Sequence, residues 1–172
     1  FVATAEADDE EMRARILRHQ EDRPTAWTTL EAPRDVSSRI AQGHRGQAVV
    51  LIDCLTLWVS NSLIKNWDEQ VSAIPASDEQ ALIDELSRLT HWLREASVHV
   101  MVVSGEVGLG LVPESAMGRA FRDLIGRANQ QLGSDADQVL MMIAGHAIEL
   151  KDLHRSCADA ADRIRCLEAG SC

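Results

Sequence analysis

"QAVVLIDCLTLW", residues 47–58, holds five consecutive apolar residues, Ala48 to Ile52, that close on a carboxylate, Asp53. An unbroken apolar run of this length is the pattern of a strand buried on both faces, as in a parallel sheet covered by helices. Two further runs share the character, "VHVMVVS" (98–104) and "QVLMMIA" (138–144), and "AIEL" (147–150) reads as an added edge strand. Helical patterns lie between them. In "SDEQALIDELSRLTHWLREA" (77–96), Leu82, Leu86, Leu89, Leu93 and Ala96 recur at 4-3-4-3 spacing behind Ser77 and Gln80, a capping-box pair. In "SAMGRAFRDLIGRANQQLG" (115–133), Met117, Phe121, Leu124, Ala128 and Leu132 form the same kind of stripe, with Gly133 as the C-terminal stop. Strands alternating with crossover helices predict an α/β fold with a mostly parallel sheet, whose ligands bind beyond the carboxyl ends of the strands.

Composition narrows the function classes. The 172 residues, 45% hydrophobic and 26% charged, fit one globular body with a real core. With 27 acidic against 17 basic residues and a net charge of −10, the chain is expected to bind neither nucleic acid nor an anionic membrane, and a small anionic ligand fits better. No apolar run reaches the length of a membrane span and no leader is visible, so the expected location is the cytoplasm. Cys54, Cys157, Cys166 and Cys172 show neither CxxC pairing nor interleaved histidines, so reduced thiols are expected.

The strand ends carry the candidate chemistry. A strand closing on Asp53 matches the way P-loop nucleotide enzymes hold Mg²⁺ through water, and it equally fits a cap for the following helix. After the second run comes "VVSGEVGLGLVPE" (102–114), with Gly105, Gly108, Gly110 and Glu106. Its glycines are not in the order of a dinucleotide fingerprint, which leaves a structural turn and a catalytic loop carrying Glu106 as the two readings. Near the start, "DDEEMRARILRHQ" (8–20) reads as a helix with acids in its first turn and bases in its last. Arg15 and His19 are i, i+4 neighbours there, Arg18 is adjacent, and Arg23 follows just before Pro24. Such a face suits either a solvated helix end or a phosphate site with a nucleophilic imidazole. His44, His91, His99 and His146 read as packing or surface residues, as do Trp58, Trp67 and Trp92, while Trp27 has a second reading as a pocket wall. Arg119, Arg122 and Arg127 lie on the polar face of their helix, either solvated or in contact with phosphate or a neighbouring subunit.

Four segments in order, "VATAEADDEEMRARILRHQEDRPTAWTTLEAP", "LIDCLTLWVSN", "VVSGEVGLGLVPE" and "RAFRDLIGRANQQLGSDADQVLMMIAG", resemble the bifunctional adenosylcobinamide kinase/adenosylcobinamide-phosphate guanylyltransferases of cobalamin biosynthesis. The resemblance runs from about Val2 to Lys151. It implies a P-loop, RecA-like fold, phosphorylation of adenosylcobinamide by GTP or ATP with Mg²⁺, and GMP transfer from GTP to the resulting phosphate through a guanylylated histidine, which falls on His19. It further implies guanine-nucleotide contacts at Thr4, at Gln20, Glu21, Asp22 and Arg23, at Glu31 and at Asp53, and assembly into homo-oligomers. Arg15 and Arg18 then stand as phosphate contacts, and Asp53 as the Mg²⁺ residue, acting through water.

Two departures qualify these expectations. The family opens on a strand and a GxxxxGK loop followed by Ser or Thr, and no such motif occurs in the 172 residues. The chain is therefore expected to be an N-terminally shortened form of the family domain, a poor kinase as written, with a noncatalytic nucleotide-binding or assembly remnant as the alternative. Residues 1–151 are expected to form the nucleotide-binding domain. The tail, 152–172, matches nothing in the family, and Leu153, Cys157, Ala160, Ile164 and Leu167 predict an amphipathic helix docked on the body. His154 and Cys157 lack further ligands for a metal site.

Overall fold

Residues Val49–Asp53 and His99–Val103 pair in parallel, from Val49 opposite His99 to Asp53 opposite Val103. They are β3 and β4 of a computed structural model that describes residues 1–64 and 75–151. The other elements are β1 (Val2–Ala3), α1 (Glu10–Glu21), β2 (Leu30–Glu31), α2 (Val36–Gly43), α3 (Leu55–Ile64), α4 (Ala76–Glu95), α5 (Ala116–Asp135), β5 (Leu140–Ile143) and β6 (His146–Glu149). A single 3₁₀ turn spans Val107–Leu109.

Four strands form one parallel sheet in the order β2-β1-β3-β4, as the alternation of strand and helix patterns predicts. Four of the helices contribute an apolar stripe to one core: Val36 and Ile40 from α2, Leu55, Trp58, Val59 and Leu63 from α3, Leu82, Leu86 and Leu89 from α4, and Leu124, Ile125 and Ala128 from α5. Val2, Val50 and Ile52 supply the sheet side. Trp58 is buried, as expected, and Trp92 packs edge-on against His44 with ring centroids 5.9 Å apart.

Several expectations are corrected. The apolar runs are not buried on both faces: Val49, Met101 and Val103 are 45–53% exposed, so a run that reads as doubly covered has one face open among the described residues. "QVLMMIA" does not join the parallel sheet. β5 and β6 form an antiparallel ribbon instead, turned by Ala144 and Gly145 at φ 50° and 79°, the left-handed pair that a two-residue hairpin requires. This ribbon belongs to a second compact unit, which begins at Gly133, whereas the first unit comprises Phe1–Leu132. Gly133 does not stop α5, which continues to Asp135. Ser77 and Gln80 do not form a capping box, because α4 starts at Ala76 behind Pro75. The Ser77 hydroxyl turns to Asp78 and the Gln80 amide to Asp84. The 152–172 helix, Trp67 and the 65–74 stretch lie outside the described residues.

Helix α2 shows how a distant side chain replaces a local signal. Asp35 precedes it in a left-handed conformation and makes no side-chain cap. The cap comes from α4: the buried Glu85 carboxylate accepts from the Ser37 N–H at 2.9 Å and the Ser37 hydroxyl at 2.8 Å. Its second oxygen takes the Arg88 guanidinium. Removing the carboxylate strands a buried N–H at a helix start, which costs about 1–3 kcal/mol. Glu85→Ala is therefore expected to lower stability by about 2 kcal/mol, read as a lower urea midpoint with an unchanged slope.

Candidate functional site

The parallel register sets four strand ends abreast. Ala3 lies opposite Glu31 on one side and Asp53 on the other, and Asp53 lies opposite Val103. The residues that follow these ends, Thr4 after β1 and Ser104 to Glu106 after β4, therefore share the carboxyl edge of the sheet, where open α/β sheets bind ligands. Thr4, Glu31, Asp53 and Glu106, four of the residues singled out in the sequence, are gathered there.

Thr4 is fully buried. Its hydroxyl donates to the Cys54 carbonyl and accepts from the Cys54 N–H, both at 2.7 Å, so both of its hydrogen-bonding roles are committed to backbone. The Thr4 carbonyl accepts from the buried Asn61 amide at 2.7 Å, and that amide also reaches the Pro33 carbonyl at 3.1 Å. Arg34 closes the arrangement by pairing with Glu6 at 2.7 Å. Thr4 thus acts on the site by fixing the turn after Asp53. The Asp53 carboxylate itself is half-buried and has no hydrogen bond or ion pair among the described residues. Glu31 is exposed.

The loop after β4 is fastened from two helices. Gly105 N–H donates to Thr56 Oγ1 on α3 at 2.6 Å. From α5, Asn129 Oδ1 accepts from the Ser104 hydroxyl at 2.6 Å, and Asn129 Nδ2 donates to the Gly105 carbonyl at 3.2 Å. Glu106 accepts from the Gly108 N–H at 3.0 Å, a contact that leaves no room for a side chain, since a Cβ on Gly108 would stand 2.7 Å from the Glu106 carboxylate. Arg122 donates to the Gly108 carbonyl at 2.7 Å, and its other terminal nitrogen, Nη1, is buried with no partner among the described residues.

Helix α1 carries the remaining candidates. Asp9 caps it by accepting from the Met12 N–H at 2.7 Å, Glu10 and Glu11 occupy the first turn, and Arg18 and His19 the last, as the charge pattern predicts. None of its residues is buried. Arg13 is paired with Glu10, whereas Arg15, Arg18 and His19 are exposed, with no hydrogen bond or ion pair among the described residues. Gln20, Glu21 and Asp22 are likewise exposed. Arg23 turns away from this group: it bonds to Thr29 Oγ1 at 3.2 Å and lies 3.8 Å from the centre of the Phe1 ring. Trp27 stacks on the same ring at 6.3 Å and is 48% exposed. A cavity of about 210 Å³ lies between α3, α4 and α5, lined by Trp58, Leu82, Leu86 and Leu124 among others, and none of the strand-end residues faces it.

The candidates are thus a carboxylate at a strand end, a fastened loop beside it and a helix whose last turn carries exposed arginines and a histidine. A profile described as cobinamide kinase / cobinamide phosphate guanyltransferase matches residues 1–150. The chain belongs to this family. Within it, the chain is similar to the bifunctional adenosylcobalamin biosynthesis protein CobU of Salmonella typhimurium, 33% identical over 159 residues that cover 88% of this chain and 84% of the relative. The Escherichia coli protein of the same name is 35% identical with the same coverage. CobP of Pseudomonas aeruginosa is 33% identical over 151 residues, with 88% and 81% covered.

Sequence reasoning did not single out Thr56, Ser104 and Asn129, which fasten the loop after β4, and Arg122, expected to be solvated or to meet phosphate or a neighbouring subunit, holds the Gly108 carbonyl of that loop. "GRANQ" held the signal: Asn129 is a polar residue one step from the buried Ala128. Its partners, 24 and 25 residues away, are supplied only by the fold. Thr4→Val removes both bonds to Cys54 and leaves its backbone groups without their partner. We expect a loss of about 2 kcal/mol in urea unfolding, with Thr4→Ser retaining most of the stability.

Proposed function

We propose that the protein phosphorylates adenosylcobinamide and transfers GMP from GTP to adenosylcobinamide phosphate, with His19 as the guanylylated nucleophile. The observation that carries this reading is the last turn of α1, where His19 stands exposed and unpaired among the described residues beside Arg18, with Arg15 one turn earlier. An imidazole nitrogen attacks the α-phosphorus of GTP, the bond to the β-phosphate oxygen breaks, and pyrophosphate leaves. A phosphate oxygen of adenosylcobinamide phosphate then displaces the imidazole, so the guanylyl group passes on and His19 is restored. The guanidinium groups of Arg15 and Arg18 offset the charge that builds on the phosphoryl oxygens in both steps. Gln20, Glu21, Asp22 and Glu31, all exposed, supply carboxylates and an amide suited to the guanine base and ribose, and Arg23 a guanidinium at the end of the same helix.

For the phosphorylation step the carboxyl edge of the sheet is the working surface. Asp53 is an acceptor with no partner among the described residues, and no three His, Cys, Asp or Glu side chains meet among those residues. That donor set fits Mg²⁺ held by one carboxylate, water and nucleotide oxygens rather than a protein-only cage. When bound there, Mg²⁺ neutralises charge on the nucleotide phosphates. In this reading Glu106, on the loop fastened beside that edge, orients the acceptor hydroxyl of adenosylcobinamide. A soluble protein of the cytoplasm suits this chemistry, and no described helix is long and apolar enough to cross a membrane. Homo-oligomeric assembly is part of the same proposal.

Incubated with Mg²⁺ and radiolabelled GTP, the protein is expected to form an acid-labile, alkali-stable GMP adduct that His19→Ala abolishes. An unchanged adduct in that variant removes His19 from the reaction. Asp53→Asn is expected to raise the Mg²⁺ concentration needed for half-maximal turnover by about tenfold, measured by magnesium titration at saturating GTP.

A further inference from the structure

The segment Val107–Val112 displays three large apolar side chains within four residues: Leu109 is 74% exposed, Leu111 96% and Val112 68%. Exposed apolar side chains are ordinary when scattered, but three together on one loop mark a contact surface. This loop is not slack. Beyond the Thr56, Asn129 and Arg122 contacts described above, Gly110 N–H donates to the Val107 carbonyl at 3.2 Å, and Arg119 donates to the Pro113 and Glu114 carbonyls at 3.2 and 2.6 Å. Gly118 lets Pro113 sit against α5, where a Cβ would come within 2.6 Å of the proline ring. Backbone polar groups on both sides of the apolar tip are thus tied inward to α5, while the tip points out. A surface ordered in advance binds without the entropy loss of ordering on contact.

Its place in the fold identifies the occupant. The tip starts three residues after Glu106 and is joined to the carboxyl edge that carries Asp53, so Leu111 lies within ~17 Å of Glu106 along the chain even if fully extended. Resting on the function proposed above, we infer that Leu109, Leu111 and Val112 form the platform for the corrin macrocycle of adenosylcobinamide and its phosphate. The macrocycle is broad, an apolar conjugated ring fringed by methyl groups and amide arms, and its reacting hydroxyl or phosphate sits at the end of a side arm. A site that reacts with the arm needs an adjoining apolar shelf for the body, outside the polar strand-end groove. The net charge of −10 disfavours nucleic acid or an anionic membrane as the occupant.

Leu111→Asp and the double variant Leu109→Ser/Leu111→Ser test this, since side chains so exposed contribute little to folding. The GMP adduct is formed from GTP alone and discharged by adenosylcobinamide phosphate, so the two are measured separately, with sedimentation velocity alongside. The platform requires adduct formation at the unaltered rate, at least a tenfold rise in the adenosylcobinamide phosphate concentration for half-maximal discharge, and an unchanged oligomeric state. Discharge at the original concentration overturns it, and so does a change in oligomeric state with corrinoid binding intact, which makes the loop a contact between copies. If the unaltered protein forms no adduct, the His19 reading fails by itself, and equilibrium dialysis with adenosylcobinamide, followed by corrin absorbance, decides the platform. A tenfold weaker uptake by the variants supports it; equal uptake removes it.

Discussion

A threonine hydroxyl that both gives and receives a hydrogen bond holds this protein's working edge together. Thr4 Oγ1 locks onto the carbonyl and N–H of Cys54, while its own carbonyl is taken by Asn61, which also reaches Pro33. Three separate segments are tied: the exit of β1, the exit of β3 and the turn after β2. Each would otherwise leave buried backbone groups without partners, a larger penalty than the bonds' net contribution suggests. Because the ties sit immediately beyond the strands, they set the direction in which the chain leaves the sheet. Asp53, the first residue before this turn, can keep its own carboxylate uncommitted because its neighbours carry the structural burden.

The second fastening acts on the other side of β3. Thr56 on α3 and Asn129 on α5 hold the Gly105 backbone, Asn129 also takes the Ser104 hydroxyl, and Arg122 and Arg119 hold the carbonyls farther along. The arginines that read as a solvated stripe on α5 are divided in use: Arg119 and Arg122 bind loop backbone, and Arg127 pairs with Glu79 on α4. In an acidic chain, these guanidinium groups are spent on neutral carbonyls and one ion pair, whereas Arg15 and Arg18 on α1 and Arg39 on α2 have no side-chain partner among the described residues.

What was legible in the sequence follows from range. Continuous apolar runs located β3 and β4, and the acid-to-base gradient located α1, because both signals lie within a few residues of the element they define. The strand-end position of Asp53 and Glu106 followed from the same runs. The two-residue strand β2 is too short for any periodicity, and α2 depends on a cap 48 residues distant. The structural part played by Thr4 is not legible in the sequence, since only the parallel register of β1 with β3 brings it to Cys54. Likewise, "LMMI" has the composition of a covered strand, but Ala144 and Gly145 turn it into a ribbon before it can enter the main sheet.

Helix α1 buries no residue and has only Met12 and Ile16 half-buried to anchor it. A 12-residue helix in water is marginal by itself, so its order depends on the Asp9 cap, the Glu10–Arg13 pair and the match of its end charges to its dipole. Those are surface electrostatic contributions, and dissolved ions screen them over about 8 Å at physiological strength. The sheet and its four packed helices rest on apolar burial, which such screening leaves intact. The molecule therefore has two sensitivities to its medium. Rising ionic strength loosens the helix that carries His19 while the strand-end surface keeps its shape.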